Sequence, residues 1–236
     1  SEVVRVASER GHGVRALARR SGVDVRSGVG LENALRGSDA VVDVLSVPTQ
    51  NAQASTAFFE ETTARLLEAE GRAGIGHHLA LSIVGIDRAP YGYYAGKAAQ
   101  ELAVEAGGVP WTILRATQFH DFARQMYERL AFGPVHPVIT ARIQPVSLTE
   151  VATRIVDLVE RGPSGRATDL AGPQEEELGA LMRAWRRHIG ARVWMPRILL
   201  PGSFGTALRD GSVLPDDQAD RGRVGFGTWL ADQPGG

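Results

Sequence analysis

The chain alternates between two hydrophobic patterns. Short β-branched runs bounded by turn residues, such as "AVVDVLS" at residues 40–46, predict buried strands. Longer stretches with apolar positions three and four residues apart, such as residues 55–70 and 93–106, predict helices that bury one face. Strands that alternate with helices of this length are typical of βαβ units, so the pattern predicts an α/β fold with a parallel sheet.

The alternation is regular over residues 1–132 and changes over residues 133–236, which predicts two interleaved parts. From Ala191 onward the chain is rich in Gly, Pro and Arg, which indicates a small C-terminal lobe. The predicted strands are residues 14–18, 23–26, 40–46, 78–83, 111–115, 138–146 and 167–170. The predicted helices are residues 2–10, 31–36, 55–70, 93–106, 119–130, 149–160 and 175–188.

Composition and charge exclude several classes of function. Lys and Arg together number 26 and Asp and Glu 27, so the net charge is −1 and nucleic acid is not an expected partner. The absence of cysteine excludes disulfides, thiolate metal sites and a cysteine nucleophile, and fits a cytoplasmic protein. No apolar run reaches membrane-spanning length, and the six histidines lack metal-ligand spacing. The expected partner is a small-molecule substrate, and the expected state is a monomer or homodimer.

Two candidate cofactor contacts follow predicted strands. Arg19 and Arg20 stand where the second strand of a dinucleotide-binding fold faces the adenosine ribose. Guanidinium groups bind phosphate bidentately, so the pair favours NADP over NAD, with a solvated basic turn as the alternative. Leu45 and Ser46 end the run at 40–46, where Leu45 can cover an adenine or ribose or belong to a plain core strand.

The segment "LSIVGIDRAPYGYYAGK" contains the candidate catalytic residues. Tyr93 and Lys97 are four residues apart and share one face of a predicted helix. A nearby ammonium stabilises a phenolate, which makes Tyr93 a candidate proton donor, and the same lysine can hold a ribose. Ser82, at the exit of a strand, can orient a substrate carbonyl. The alternative is that Tyr93 or Tyr94 plugs the helix start and Lys97 is solvated.

A further loop, "RATQFHDF", follows the strand at 111–115. Thr117 and Phe119 stand where a loop meets the nicotinamide, so Phe119 is expected to pack on the ring. The alternative is that Thr117 caps a helix and Phe119 fills the core. His120 is the histidine candidate for substrate contact.

Five segments carry a family resemblance. They are "RGHGVRALARR", "GSDAVVDVLS", "HHLALSIVGIDRAPYGYYAGKAAQE", "GVPWTILRATQFHDF" and "IQPVSLTEVATRIVDLV", which lie between residue 1 and about residue 190. Together they resemble the NmrA-like branch of the atypical short-chain dehydrogenase/reductase superfamily. The resemblance implies a doubly wound, parallel-sheet Rossmann-type domain over residues 1–132. It also implies a small C-terminal α+β lobe, interleaved with that domain, within residues 133–236.

The resemblance implies NADP or NAD as cofactor. With the arginine pair, the expectation is NADP, with NAD possible, and hydride transfer to a small carbonyl, quinone or conjugated substrate. The residues that match the family's cofactor contacts are Arg19, Arg20, Ser46, Lys97, Thr117 and Phe119. Leu45 and Ser82 are further candidate cofactor contacts because of their positions at strand ends. The family's first strand and glycine-rich loop normally precede a segment like Ser1–Gly13, so we expect about 12–15 further residues upstream. Two alternatives stay open: an NADP-binding redox-sensing regulator without turnover, and a sugar-nucleotide epimerase or dehydratase.

Overall fold

The computed structural model describes residues 1–18 and 21–235. The chain divides into two compact units. The first unit consists of Ser1–Arg115 with Val151–Thr168, and the second of Ala116–Glu150 with Asp169–Gly236. None of the helices in these described ranges combines the length and the apolar content needed to span a membrane.

The elements follow one another in the alternating order that the hydrophobic pattern predicts. The helices are α1 (Glu2–Glu9), α2 (Leu31–Leu35), α3 (Ala52–Ala73), α4 (Tyr93–Ala106), α5 (Phe122–Arg129), α6 (Leu148–Arg161), α7 (Leu178–His188), α8 (Gly202–Asp210) and α9 (Phe226–Ala231). The strands are β1 (Ala40–Asp43), β2 (His77–Ile83), β3 (Trp111–Ala116), β4 (Val138–Ile139), β5 (Arg142–Ile143), β6 (Gly165–Arg166), β7 (Leu170–Ala171), β8 (Glu176–Glu177), β9 (Arg197–Ile198) and β10 (Asp220–Arg221).

The first unit contains a parallel sheet with helices packed against it. Strand β1 pairs with β2 in parallel, with Ala40 opposite His77, and β3 lies next to β2. Strand β6 pairs in parallel with β3. Because parallel strands carry buried side chains on both faces, β2 is almost continuously buried, as its apolar run indicates. This confirms the α/β class with a parallel sheet.

The second unit is built from short strands and a separate core. Leu170 of β7 pairs in parallel with Ala116, and β10 pairs in parallel with β7. Strands β4 and β9 form a parallel pair, and β5 and β8 an antiparallel pair. The core of this unit is a cluster of aromatic and aliphatic side chains that includes Tyr127, Met182 and Trp185.

The N-terminal helix packs as its amphipathic pattern predicts. Ser1 caps α1 by accepting a hydrogen bond from the Val4 amide. Val6 is buried against Ala152 and Val156 of α6. Polar contacts to α6 flank this contact: Arg10 forms ion pairs with Asp157 at 2.6 Å and with Glu160 at 3.2 Å, and His12 lies 2.9 Å from Glu160. Helix α1 is therefore attached to the first unit mainly by a small apolar contact, since exposed ion pairs add little.

Four strand predictions differ from the structure, one of them at residues 167–170, where only Leu170 lies in a strand. Residues 14–18 form no strand, and residues 23–26 contribute only an isolated bridge between Asp24 and Val29. Residues 138–146 break into β4 and β5, which pair with different partners. A β-branched run becomes a strand only where a neighbouring backbone can accept and donate its hydrogen bonds, and that condition is not written in the run itself.

Helices α3 and α4 pack closely at Gly96. Helix α3 begins where the Asn51 side chain accepts from the Ala54 amide, and the Ser55 hydroxyl donates to the Tyr93 carbonyl at 3.1 Å. A Cβ on Gly96 would lie 2.6 Å from the Ser55 carbonyl carbon and 2.7 Å from the Phe59 ring. The contact therefore requires glycine at this position, and it holds the first turns of α4 in place.

We expect Gly96→Ala to lower the free energy of unfolding by about 1–3 kcal/mol, because an added methyl in a packed contact forces backbone shifts. Gly71→Ala is the matched control in α3, where an added Cβ meets no atom within 4 Å. It should raise stability by about 0.5–1 kcal/mol through helix propensity. Urea unfolding of both variants checks the opposite signs, and a G96A protein as stable as wild type contradicts the close contact.

Candidate functional site

The candidate site in the first unit is built where two parallel strands end and α4 begins. Strand β1 ends at Asp43 and leads into Leu45 and Ser46, and β2 ends just after Ser82. Ligands of parallel α/β sheets bind at the carboxyl ends of the strands. The first turns of α4 belong to the same region, because Tyr93 contacts Ser46 after β1 and Lys97 contacts Leu81 of β2.

Lys97 is the only lysine among the 236 residues, against 25 arginines. Its side chain is 3% exposed. The ammonium donates to the Leu81 carbonyl of β2 at 2.6 Å and to the side-chain oxygen of Gln100. It also lies 4.8 Å above the centre of the Phe59 ring. The alternative interpretation of Lys97 as a solvated helix residue is therefore wrong.

Burial lowers the pKa of Lys97 to about 8, although the carboxylates of Asp43 and Glu101 oppose this effect. The cause is desolvation, which disfavours the charged form of a buried amine. An ammonium held this way has its charge balanced by a few fixed oxygens rather than by water. The site therefore contains a cation whose pKa changes when a ligand oxygen is brought close to it.

Asp43 and Gln100 complete a buried network that the sequence analysis did not identify. Asp43 is 2% exposed and Gln100 is fully buried. The Asp43 carboxylate accepts from the Leu45 amide at 2.9 Å and from the Gln100 side-chain amide at 2.7 Å. We call Asp43, Gln100 and Lys97, with the Leu81 carbonyl, the Lys97 network. Two signals point to it: an acid inside the apolar run "AVVDVLS", and a lysine found once in the chain.

The Tyr93 hydroxyl interacts with Ser46, and Lys97 is not among the groups that shift the pKa of Tyr93. Burial raises the pKa of Tyr93, the Ser46 hydrogen bond opposes this, and the charge of Asp43 adds to the rise. The predicted stabilisation of a Tyr93 phenolate by Lys97 is absent from the described contacts. The reason is that the ammonium of Lys97 is directed toward Leu81 and Gln100. At neutral pH the Tyr93 hydroxyl is therefore protonated.

Ser82 lies beside a buried carboxylate. Its side chain is 3% exposed, and its hydroxyl is near enough to Glu101 to help lower the pKa of that carboxyl. Burial alone would raise the pKa of Glu101, but hydrogen bonds from Arg115 and the nearby Ser82 hydroxyl bring it below its usual value. Arg166 donates to the same carboxylate at 2.8 Å. The geometry shows Ser82 as part of this charged cluster, and its contact with a substrate carbonyl stays a prediction.

The remaining predicted residues of known placement lie in the second unit. The Thr117 hydroxyl donates to the Gln144 carbonyl at 2.5 Å, and Asp121 rather than Thr117 precedes α5. Phe119 is half-buried and bridges to Val146. Thr117 is therefore a loop anchor and not the helix cap that the alternative interpretation suggests. The roles of Thr117 and Phe119 toward a nicotinamide stay predictions.

His120 is packed inside the second unit. It is 2% exposed, and its Nε2 lies 2.9 Å from the Val224 carbonyl. Its ring contacts those of Phe226 and Trp229, each with a centroid distance of 5.9 Å. Burial lowers the pKa of His120, so the imidazole is neutral at physiological pH. These contacts are those of a core histidine, and substrate contact by His120 stays a prediction.

Arg19 and Arg20, the predicted adenosine-phosphate contacts, lie outside the described residues.

A sequence profile of an NAD(P)H-binding family matches residues 22–161, more than half of the chain. The chain belongs to this family. Its matched region contains the Lys97 network and the loops that follow β1 and β2. This match confirms the prediction of an NAD(P)-binding domain. The match does not distinguish the NmrA-like branch from other branches, or NADP from NAD.

Individual relatives are distant. The chain is 28% identical over 181 residues to the (4-alkanoyl-5-oxo-2,5-dihydrofuran-3-yl)methyl phosphate reductase of Streptomyces griseus, covering 68% of this chain and 60% of that protein. Among solved structures it is similar to MoeE5 in complex with UDP-glucuronic acid and NAD. The TM-score is 0.70 at 16% identity, over 98% of this chain and 92% of that one.

A second solved structure is the NAD-dependent NDP-hexosamine 5,6-dehydratase TunA. It is similar to this chain with a TM-score of 0.69 at 14% identity, over 97% of this chain and 90% of that one. At these identities the two structures establish the Rossmann-like fold.

The lowered pKa of Lys97 predicts a specific pH dependence of stability. The native pKa is about 8 and the ordinary value is 10.5, so in this window the unfolded chain binds a proton that the native chain has released. The free energy of unfolding of wild type, relative to Lys97→Met, should therefore rise by about 1.5 kcal/mol between about pH 8 and pH 9.5. Urea unfolding of both proteins over this range measures the difference, and parallel curves contradict the buried ammonium.

Proposed function

We propose that this chain is an NAD(P)-dependent oxidoreductase that transfers a hydride to a small carbonyl, quinone or conjugated substrate, with NADP as the preferred cofactor. The observation that carries the proposal is the single buried lysine at the carboxyl end of β2, within a domain of the NAD(P)H-binding family. The similar reductase supports it, because the compound in that protein's name is an alkanoyl-substituted oxo-dihydrofuran phosphate.

The donor set of the Lys97 network fits a nicotinamide nucleotide. An ammonium has three N–H donors. Among the described contacts, the Leu81 carbonyl and the Gln100 oxygen accept two of them, which leaves one N–H for a ligand oxygen. In the proposal the third donor binds a hydroxyl of the ribose. Reduced nicotinamide, when bound, supplies the hydride.

Other residues are assigned to the cofactor mainly by the family resemblance. In the proposal Leu45 and Ser46 contact the adenosine half at the end of β1. Arg19 and Arg20 bind its phosphate, and Thr117 and Phe119 contact the nicotinamide. The Asp43 carboxylate, which accepts from the Leu45 amide, holds the first of these loops.

Tyr93 is the proposed proton donor. Hydride addition to a carbonyl produces an alkoxide, which must receive a proton. Because burial raises the pKa of Tyr93, the hydroxyl keeps its proton at neutral pH until a stronger base such as an alkoxide is present. Its hydrogen bond with Ser46 orients the hydroxyl between turnovers.

A second candidate function is a nucleotide-binding sensor without turnover. The observation in its favour is that Lys97 does not stabilise a Tyr93 phenolate, so the pair lacks the coupling expected of an efficient proton-transfer site. In that case nucleotide binding changes the affinity for a protein partner, and Tyr93 has no chemical role.

The distinction between the two functions rests on Tyr93. We expect wild type to oxidise NADPH with members of a panel of quinones and conjugated carbonyls, followed by nicotinamide absorbance. Tyr93→Phe should lower kcat by about 100-fold or more while the nucleotide Kd stays unchanged, as for the loss of a general acid. Tyr91→Phe, two residues earlier, should behave like wild type. Tight nucleotide binding without turnover on any substrate contradicts the enzyme and favours the sensor.

Cofactor preference rests on the arginine pair. We expect the double variant Arg19→Ala, Arg20→Ala to weaken NADPH binding by about 10- to 100-fold, the effect of losing hydrogen bonds to a charged phosphate. NADH binding should change by less than about threefold, because NADH lacks that phosphate. Calorimetric titration with both nucleotides measures the ratio, and equal losses for the two contradict the predicted phosphate contact.

A further inference from the structure

The orientation of the Gln100 side chain is determined from both ends. A carboxylate only accepts hydrogen bonds and an ammonium only donates them. Gln100 lies between Asp43 and Lys97, donating to the first at 2.7 Å through Nε2 and accepting from the second through Oε1. A flipped amide would place an oxygen against the carboxylate and an NH₂ against the ammonium. Both contacts are repulsive and buried, so a single orientation is allowed.

We propose that Gln100 is the positioning residue for Lys97, and that Asp43 anchors Gln100 in the orientation this requires. The inference rests on the proposed function, in which Lys97 holds the ribose. Gln100 acts through Lys97 and has no contact with substrate or cofactor.

The anchor also connects Lys97 to the loop after β1. The Asp43 carboxylate uses one oxygen for the Gln100 amide and the other for the Leu45 backbone amide. One buried carboxylate therefore sets both the position of the lysine and the start of the loop that the proposal assigns to the adenosine half. A change at Asp43 should affect both contacts, whereas a change at Gln100 should affect Lys97 alone.

The charged groups around Lys97 determine how the network responds to substitution. The carboxylate of Asp43 acts from β1 and that of Glu101 from α4, while α3 contributes the Phe59 ring and β2 the Leu81 carbonyl. Without the Gln100 oxygen, Leu81 supplies the direct hydrogen bond that remains among the described contacts. The ammonium would then be less well held and more easily deprotonated.

A direct measurement is available because Lys97 is the single lysine. Selective ¹³C-lysine labelling gives one side-chain signal, whose titration reports the protonation of Lys97 without any assay of activity. Wild type should titrate at about pH 8. Gln100→Met keeps the length and removes both hydrogen bonds, so its midpoint should fall by about one pH unit, and NADPH affinity should fall by about tenfold at neutral pH.

Two further variants test the direction of the effect. Gln100→Glu keeps an oxygen for Lys97 and adds a second carboxylate beside Asp43, so the midpoint should rise above that of wild type. Asp43→Asn removes the carboxylate charge and with it the fixed orientation of the Gln100 amide. Both the Lys97 midpoint and the NADPH affinity should therefore fall. From the highest midpoint to the lowest, the expected order is Q100E, wild type, and then Q100M and D43N.

The matched control is Gln125→Met. Gln125 donates to Asp121 at 2.7 Å, the same bond length as in the Lys97 network, but in the second unit. This variant should leave the lysine titration and nucleotide affinity unchanged. If Q100M does not fold, the order of Q100E, wild type and D43N decides the question.

The possible results separate the two proposals. Wild-type midpoints and NADPH affinities in Q100M, Q100E and D43N overturn the positioning role, whatever the activity of the protein. The expected order of midpoints, together with absence of turnover in wild type on all substrates, supports the positioning role and rejects the oxidoreductase. Shifted midpoints with unchanged nucleotide affinity in every variant overturn the link between Gln100 and cofactor binding.

Discussion

The cost of burying one ammonium group organises the first unit. An amine removed from water must be given oxygens in fixed places or lose its proton, and Lys97 has the Leu81 carbonyl, the Gln100 amide and, at longer range, two carboxylates. Those groups come from three elements: Asp43 from β1, Leu81 from β2, and Gln100 and Glu101 from α4. The end of β1, the end of β2 and the first turns of α4 are thus held in register by the requirement to satisfy a single charge.

Close helix packing makes this arrangement possible. Gly96 stands directly before Lys97, and the absence of its side chain lets α4 approach Ser55 and Phe59 of α3. That approach places the Phe59 ring 4.8 Å from the ammonium, where its negative face favours the charged form. The position of the buried ammonium therefore depends on the small residue before it, and a larger residue at position 96 would displace Lys97 from the Phe59 ring.

A second buried charge is satisfied in a different way. Glu101, next in the helix after Gln100, accepts hydrogen bonds from Arg115 and Arg166 and has the Ser82 hydroxyl nearby. Adjacent residues of α4 therefore serve two separate networks, one centred on an ammonium and one on a carboxylate. Ser82 belongs to the second network, which explains why its position at a strand exit did not by itself indicate a role toward substrate.

The sequence alone predicted the α/β class and the helix at Tyr93–Ala106, and it singled out Lys97 as a candidate site residue. These predictions were possible because helix periodicity and residue type are local properties. It did not find Asp43 and Gln100 as partners. Their contact joins residues 57 positions apart and depends on the pairing of β1 with β2 and on the approach of α4. It also placed strands at residues 14–18 and 23–26 that the structure lacks, since a strand depends on a partner backbone.

The sequence by itself determined which chemical groups are available: one lysine, no cysteine, and an acid within an apolar run. The tertiary structure decided what those groups do. It buried the lysine, turned it away from Tyr93 and gave it Gln100 and Leu81 as acceptors. The physical reason is that desolvation and hydrogen bonding act between elements far apart in the chain, whereas periodicity and composition describe only neighbours along it.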